Sequence, residues 1–143
     1  MCSNSLISHV GIAVADFEEA VERYRILTGD RQPHIVEVTD QQVKVAIFST
    51  NDSAIESIEG RIELVSPISE KSPVARFLKK KGEGLHHICI FVDNLEEKLT
   101  ELKASGIRLI DEFPRIGAEG NRIAFVHPAG MNGVLIELEE RLR

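Results

Sequence analysis

The sequence predicts an α+β fold of two tandem βαβββ modules whose curved sheets form one cup. Three observations lead there. The first is an internal repeat: Ile7-Ser8-His9-Val10-Gly11-Ile12-Ala13-Val14 returns as Leu85-His86-His87-Ile88-Cys89-Ile90-Phe91-Val92. The second is that each copy closes on a similar segment, Arg61-Ile62-Glu63-Leu64-Val65 and Val134-Leu135-Ile136-Glu137-Leu138. The third is a period-2 strand pattern before and after a single helical stretch in each copy. Neither half has enough apolar surface to cover its own sheet, so the two are expected side by side.

In copy one, residues 7–14 alternate as a strand, with Val10, Ile12 and Val14 on one face and His9, Gly11 and Ala13 on the other. A face that is polar and then small suits an open cavity. Asp16 is a good N-cap, with Glu18 and Glu19 in the first turn. Phe17, Ala20, Val21, Tyr24 and Leu27 recur at helical spacing until Gly29 stops the helix. Strands are predicted over 34–39, 43–49 and 60–66, with Asn51 to Gly60 a polar connection. Pro73 to Lys81 reads as a short helix with Val74, Phe77 and Leu78 on its apolar side, opened by proline and ended by Gly82 and Gly84.

Copy two repeats the plan. Strand 85–92 is followed by a helix capped by Asn94, carrying Leu95, Leu99 and Leu102, and closed by Gly106. Strands are predicted near 107–113, 121–127 and 133–139, with Val134, Ile136 and Leu138 toward the core. The expected organisation is one domain over 1–143, with module one at about 6–67, a linker helix at about 68–84 and module two at about 85–140.

Composition narrows the function classes. The chain has 143 residues, 43% hydrophobic and 28% charged, with a net charge of −6, opposite in sign to a nucleic-acid binder. Two cysteines, Cys2 and Cys89, make no disulfide framework and point to a reducing, cytoplasmic location. Cys2 is expected in a frayed terminus. No apolar run reaches membrane-spanning length, and no targeting segment is evident at the N-terminus. No Ser-His-Asp order, P-loop or dinucleotide fingerprint appears.

His9 and His87 hold the same place in the repeat, as do Glu63 and Glu137. Strand parity sets each of the four opposite a strongly apolar face. Two imidazoles and two carboxylates suit one divalent ion, such as Co, Zn, Mn or Ni, with positions left for water or a chelating substrate. A lone strand histidine or glutamate is ordinarily solvated, but the repeat requires four coincidences at once. His86 falls on the wrong parity, His127 is expected to end a strand or line the rim, and His34 to be exposed. Cys89 shares the face of His87 as a small wall residue, with nothing to activate it as a nucleophile.

At these residues the chain resembles the vicinal oxygen chelate superfamily, and within it the methylmalonyl-CoA epimerases. The resemblance runs from about residue 6 to residue 140. It is carried by His9-Val-Gly-Ile-Ala-Val14, Ile62-Glu-Leu-Val-Ser-Pro67 and Ser72-Pro-Val-Ala-Arg-Phe-Leu78. More specific are Gly82-Glu-Gly-Leu-His-His-Ile88, Pro114-Arg-Ile-Gly-Ala118, Phe125-Val-His-Pro128 and Gly133-Val-Leu-Ile-Glu-Leu138.

The resemblance implies His9, Glu63, His87 and Glu137 as metal ligands and an acyl-CoA thioester as substrate; a homodimer is the expected assembly. It implies an isomerase that moves the C2 proton through an enolate; the repeat itself offers Glu137 and Glu63, from opposite halves, as candidates for the acid–base pair. One position departs. Some epimerases carry a glutamate where Gln42-Val43-Lys44-Val45-Ala46 places Val45, which leaves the second proton carrier unassigned. Lys79, Lys80, Lys81, Arg115 and Arg122 are candidates for the CoA anionic groups, although a lysine run at a helix end is ordinarily solvated. The alternatives are a glyoxalase I-like lyase, a ring-opening dioxygenase using Fe(II), and a non-catalytic small-ligand binding or resistance module.

Overall fold

A computed structural model describes residues 7–50 and 60–141. Cys2 and most of the connection from Asn51 to Gly60 lie outside the described residues. The chain divides into two compact units, His9–His86 and a second formed by residues up to Ser8 with His87–Arg143. Its elements, in order, are β1 (Ile7–Ala13), α1 (Phe17–Thr28), β2 (His34–Val38), β3 (Val43–Phe48), β4 (Arg61–Pro67), α2 (Pro73–Lys81), β5 (Gly84–Val92), α3 (Leu95–Ala104), β6 (Arg115–Ile116), β7 (Arg122–Val126) and β8 (Ile136–Glu140). The fold is α+β, and each copy of the repeat has the order βαβββ. No helix among the described residues is long and apolar enough to cross a membrane.

In the unit His9–His86 the strands lie in the order β2-β3-β4-β1. β1 and β4 are parallel, while β2–β3 and β3–β4 are antiparallel. α1 covers one face of this sheet. Phe17, Ala20 and Val21 pack with Val14, Ala46, Phe48 and Leu64, with Ile12, Tyr24 and Ile62 at the margin. The helix begins where predicted, with Asp16 accepting the Glu19 N–H at 3.1 Å, and ends at Gly29, whose φ of 79° only glycine takes without strain. The other face of the sheet carries His9, Arg61, Glu63, Val65, Val45 and Ile47, all buried. α2 opens on Ser72, itself fully buried, which accepts the Val74 N–H at 3.1 Å.

In the other unit the order is β5-β8-β7-β6, with β5 and β8 parallel and β8–β7 and β7–β6 antiparallel. α3 lays Leu95 and Leu99 on Ala124, Val126 and Leu138. Asn94 accepts the Glu97 N–H at 3.0 Å, and Glu140 reaches from β8 to take the Leu95 N–H at 2.9 Å. Two first-turn donors of the helix are thereby satisfied.

Two strand predictions need correction here. Residues 107–113 do not form a regular strand: they touch β7 through a single bridge, Leu109 with Val126. Ile110 and Asp111 both donate to the Phe125 carbonyl, and the Asp111 carboxylate takes the Phe125 N–H at 2.8 Å. That side chain uses the donor a ladder would need, and Pro114 follows. The only third strand of this copy among the described residues is the two-residue β6. Likewise β8 starts at Ile136 rather than 133. Residues 128–133 make a tight turn closed by the Gly133 N–H on the Pro128 carbonyl at 2.8 Å, with Gly133 at φ 90°. Val134 is consequently 40% exposed and not part of the core.

Candidate metal centre

Each unit builds a buried histidine–glutamate pair by the same device. In the parallel β1–β4 pair, Glu63 stands across from Gly11, two places beyond His9 on the same face. The Glu63 carboxylate lies 3.2 Å from His9 Nδ1. In the parallel β5–β8 pair, Glu137 stands across from Cys89, two places beyond His87, and its carboxylate lies 3.1 Å from His87 Nε2. All four side chains are buried, between 2% and 7% exposed. Carboxylates and imidazoles are rarely buried so fully unless paired or coordinating. Small residues, Gly11 and Cys89, stand beside the two glutamates and leave room for the carboxylates to lean toward the histidines. Imidazole and carboxylate donors, with the Cys89 thiol on the same face as His87, are consistent with a metal site of borderline softness.

His86 turns away from His87 and packs edge-on against Phe77 at 4.8 Å between ring centroids. His127 caps the turn after β7, its Nδ1 accepting the Ala129 N–H at 2.9 Å, and His34 is exposed. His87 meets the Phe125 ring edge-on at 6.1 Å. Val45 pairs with Val65 across β3 and β4 and is buried, so that part of the face is apolar.

Sequence reading missed a buried polar group beside the second pair. Glu139 shares the face of Glu137 on β8 and is only 4% exposed. It accepts from Ser8 Oγ at 2.6 Å, from Cys89 Sγ at 3.6 Å and from the Asn121 side-chain amide. Three donors on one carboxylate offset much of its desolvation. An acidic pair closing a strand resembles a solvated end, and only the alternation of β8 flags the first of the two as inward.

The candidate cations for an anionic ligand are partly engaged. Arg122 is bound to Glu96 at 2.7 Å and Glu140 at 3.0 Å. The hydrogen bond from Arg122 holds the Glu96 carboxyl below the usual range. Arg115 lies 3.3 Å from Asp111 and stacks over Phe125 at 5.4 Å. Lys81 sits over Phe77 at 5.8 Å, at the end of α2.

Residues 8–125 match the family model of the glyoxalase/bleomycin resistance protein/dioxygenase superfamily. The chain belongs to that superfamily. Among its relatives is the Bacillus subtilis protein YqjC, described as uncharacterized, 41% identical over 94% of this chain and 91% of its own. The ethylmalonyl-CoA/methylmalonyl-CoA epimerase of Cereibacter sphaeroides is 38% identical over 94% of this chain and 96% of its own length. Among solved structures, a substituted methylmalonyl-CoA epimerase from Streptomyces coelicolor, in complex with 2-nitronate-propionyl-CoA, superposes with a TM-score of 0.87. It is 34% identical and covers 96% of this chain and 95% of its own. Within the superfamily, the chain is therefore related to methylmalonyl-CoA epimerases over nearly its full length.

Proposed function

We propose that this chain is a metal-dependent isomerase that interconverts the C2 epimers of methylmalonyl-CoA, working as one domain with a single divalent ion held by His9, Glu63, His87 and Glu137. The observation that carries the reading is the equivalence of the two buried pairs. Each copy of the repeat sets one histidine and one glutamate at the same register, 3.2 Å and 3.1 Å apart. Half a tetradentate site in each module is what a duplicated βαβββ unit contributes when the modules share one ion. The relatedness to named epimerases supports the substrate class.

The ion would supply Lewis acidity toward the negative charge that develops on the thioester oxygen when the C2 proton leaves. The chain's own residues must do the rest. Epimerisation needs a base on one face of the carbon and an acid on the other. Glu137 and Glu63 come from opposite copies of the repeat and are assigned those roles. One carboxylate takes the C2 proton while the other, protonated beforehand, gives its own proton to the opposite face, and the two reset by exchange with solvent between turnovers. The valine side chain at position 45 carries no proton, which leaves the pair as the simplest assignment. A cytoplasmic location and a homodimeric assembly complete the proposal.

The decisive experiment incubates metal-loaded protein with one C2 epimer of methylmalonyl-CoA in deuterated water. Deuterium entering C2 together with conversion to the other epimer is expected. A metal-loaded sample that neither exchanges nor epimerises sinks the proposal.

A further inference from the structure

The two copies of the repeat differ at the residue that faces each glutamate. Gly11 stands across from Glu63 in the β1–β4 register, and Cys89 stands across from Glu137 in the β5–β8 register. The histidine–glutamate frame does not need a thiol at that place: with Gly11 there, the first pair keeps its 3.2 Å contact. Cys89 is fully buried, on the face that also carries His87. A buried thiol that only fills space behaves as a small apolar group and packs on hydrocarbon. Cys89 lies instead beside two carboxylates. Its thiol donates to Glu139 at 3.6 Å. Its sulfur is also within 4.8 Å of a Glu137 carboxylate oxygen, near enough for both atoms to bind one ion. Imidazole, thiol and carboxylate donors from His87, Cys89 and Glu137 therefore share one buried face of the second unit.

We infer that Cys89 is a further ligand of the proposed metal centre, and that its sulfur biases the centre toward zinc and cobalt over manganese. The inference rests on the metal centre of the reading above and adds to it a donor that decides which ion is held. Imidazole nitrogen and carboxylate oxygen suit manganese, cobalt, nickel and zinc alike, whereas a thiolate favours the softer of these. Ligation exchanges the S–H bond for a metal–sulfur bond, and the proton passes to the buffer. Glu139 loses one donor in that exchange but keeps Ser8 Oγ at 2.6 Å and the Asn121 amide, so it is not left buried without partners. Manganese, which prefers oxygen, gains little from the same exchange.

The test is optical, because sulfur ligation has a signature that oxygen and nitrogen ligands lack. Cobalt added to the demetallated protein should give visible d–d bands together with a sulfur-to-cobalt charge-transfer band in the near ultraviolet. Cys89→Ala should keep the d–d bands and lose the charge-transfer band. Its affinity for zinc relative to manganese, read from competition titrations, should fall by about tenfold. Cys89→Ser, close to the native side chain in shape, should lose the band as well, and it carries the test if the alanine variant does not fold. A wild-type cobalt protein with d–d bands but no charge-transfer band overturns the inference while leaving the shared ion and the epimerase reading intact. A band that persists in both variants does the same, since it comes from another sulfur such as that of Cys2. An unchanged zinc-to-manganese ratio in the variants overturns the role in metal choice. A wild-type protein that takes up no cobalt overturns the inference and the metal centre together.

Discussion

Glu63 and Glu137 occupy the same register position in the two units. Each stands across a parallel strand pair from a small residue, Gly11 or Cys89, and each leans back to the histidine two places earlier. A strand pair fixes such a diagonal rigidly, because same-face neighbours are set by the pleat and not by loop conformation.

If the two pairs form one centre, the protein binds one divalent ion per chain. Substituting His9→Ala or His87→Ala should each cut affinity by at least about tenfold, since either removes a ligand. Calorimetric titration of Co or Zn into demetallated protein gives the stoichiometry. Two independent ions per chain, or an unchanged affinity in either variant, would contradict a shared site.

Glu137→Gln keeps an oxygen donor but cannot accept a proton. Turnover should fall by roughly two to four powers of ten while metal is retained. Glu63→Gln should lose epimerisation as well, yet still exchange the C2 proton of one epimer with deuterium, because one face of the enolate keeps its base. Near-normal epimerisation by Glu63→Gln would reduce that residue to a ligand.

Chelation should abolish isomerase activity, and Co, Zn, Mn or Ni should restore it to different extents, as expected when charge stabilisation by the ion lowers the barrier. Full activity in a sample shown by mass spectrometry to be metal-free would refute the dependence.

Ser8→Ala removes the 2.6 Å donor from the buried Glu139 carboxylate. It should destabilise the fold by about 1–3 kcal/mol, read from the urea midpoint. In a double-mutant cycle, Glu139→Leu should cost less when Ser8 is already alanine than in the wild-type background. Strict additivity would show that the contact contributes nothing.

The sequence by itself determined the duplicated βαβββ plan, the three α-helices with the capping residues Asp16 and Asn94, and the placing of one histidine and one glutamate on the same face in each copy. These are local or periodic properties. Caps act within a single turn, and alternation assigns a face wherever one side of a strand is strongly apolar. Tertiary structure decided the rest. Residues 107–113 alternate like a strand, yet the Asp111 carboxylate takes the ladder donor of Phe125, a contact with no trace in the local pattern. Glu139 looks like the edge of a solvated acidic end until Ser8 and Asn121, far away in the chain, bring it their donors. Arg61 shares strand parity with Glu63, but its burial depends on what the folded chain packs around it. Burying a charge is decided by partners distant in sequence, because their hydrogen bonds and opposite charges are what offset its desolvation.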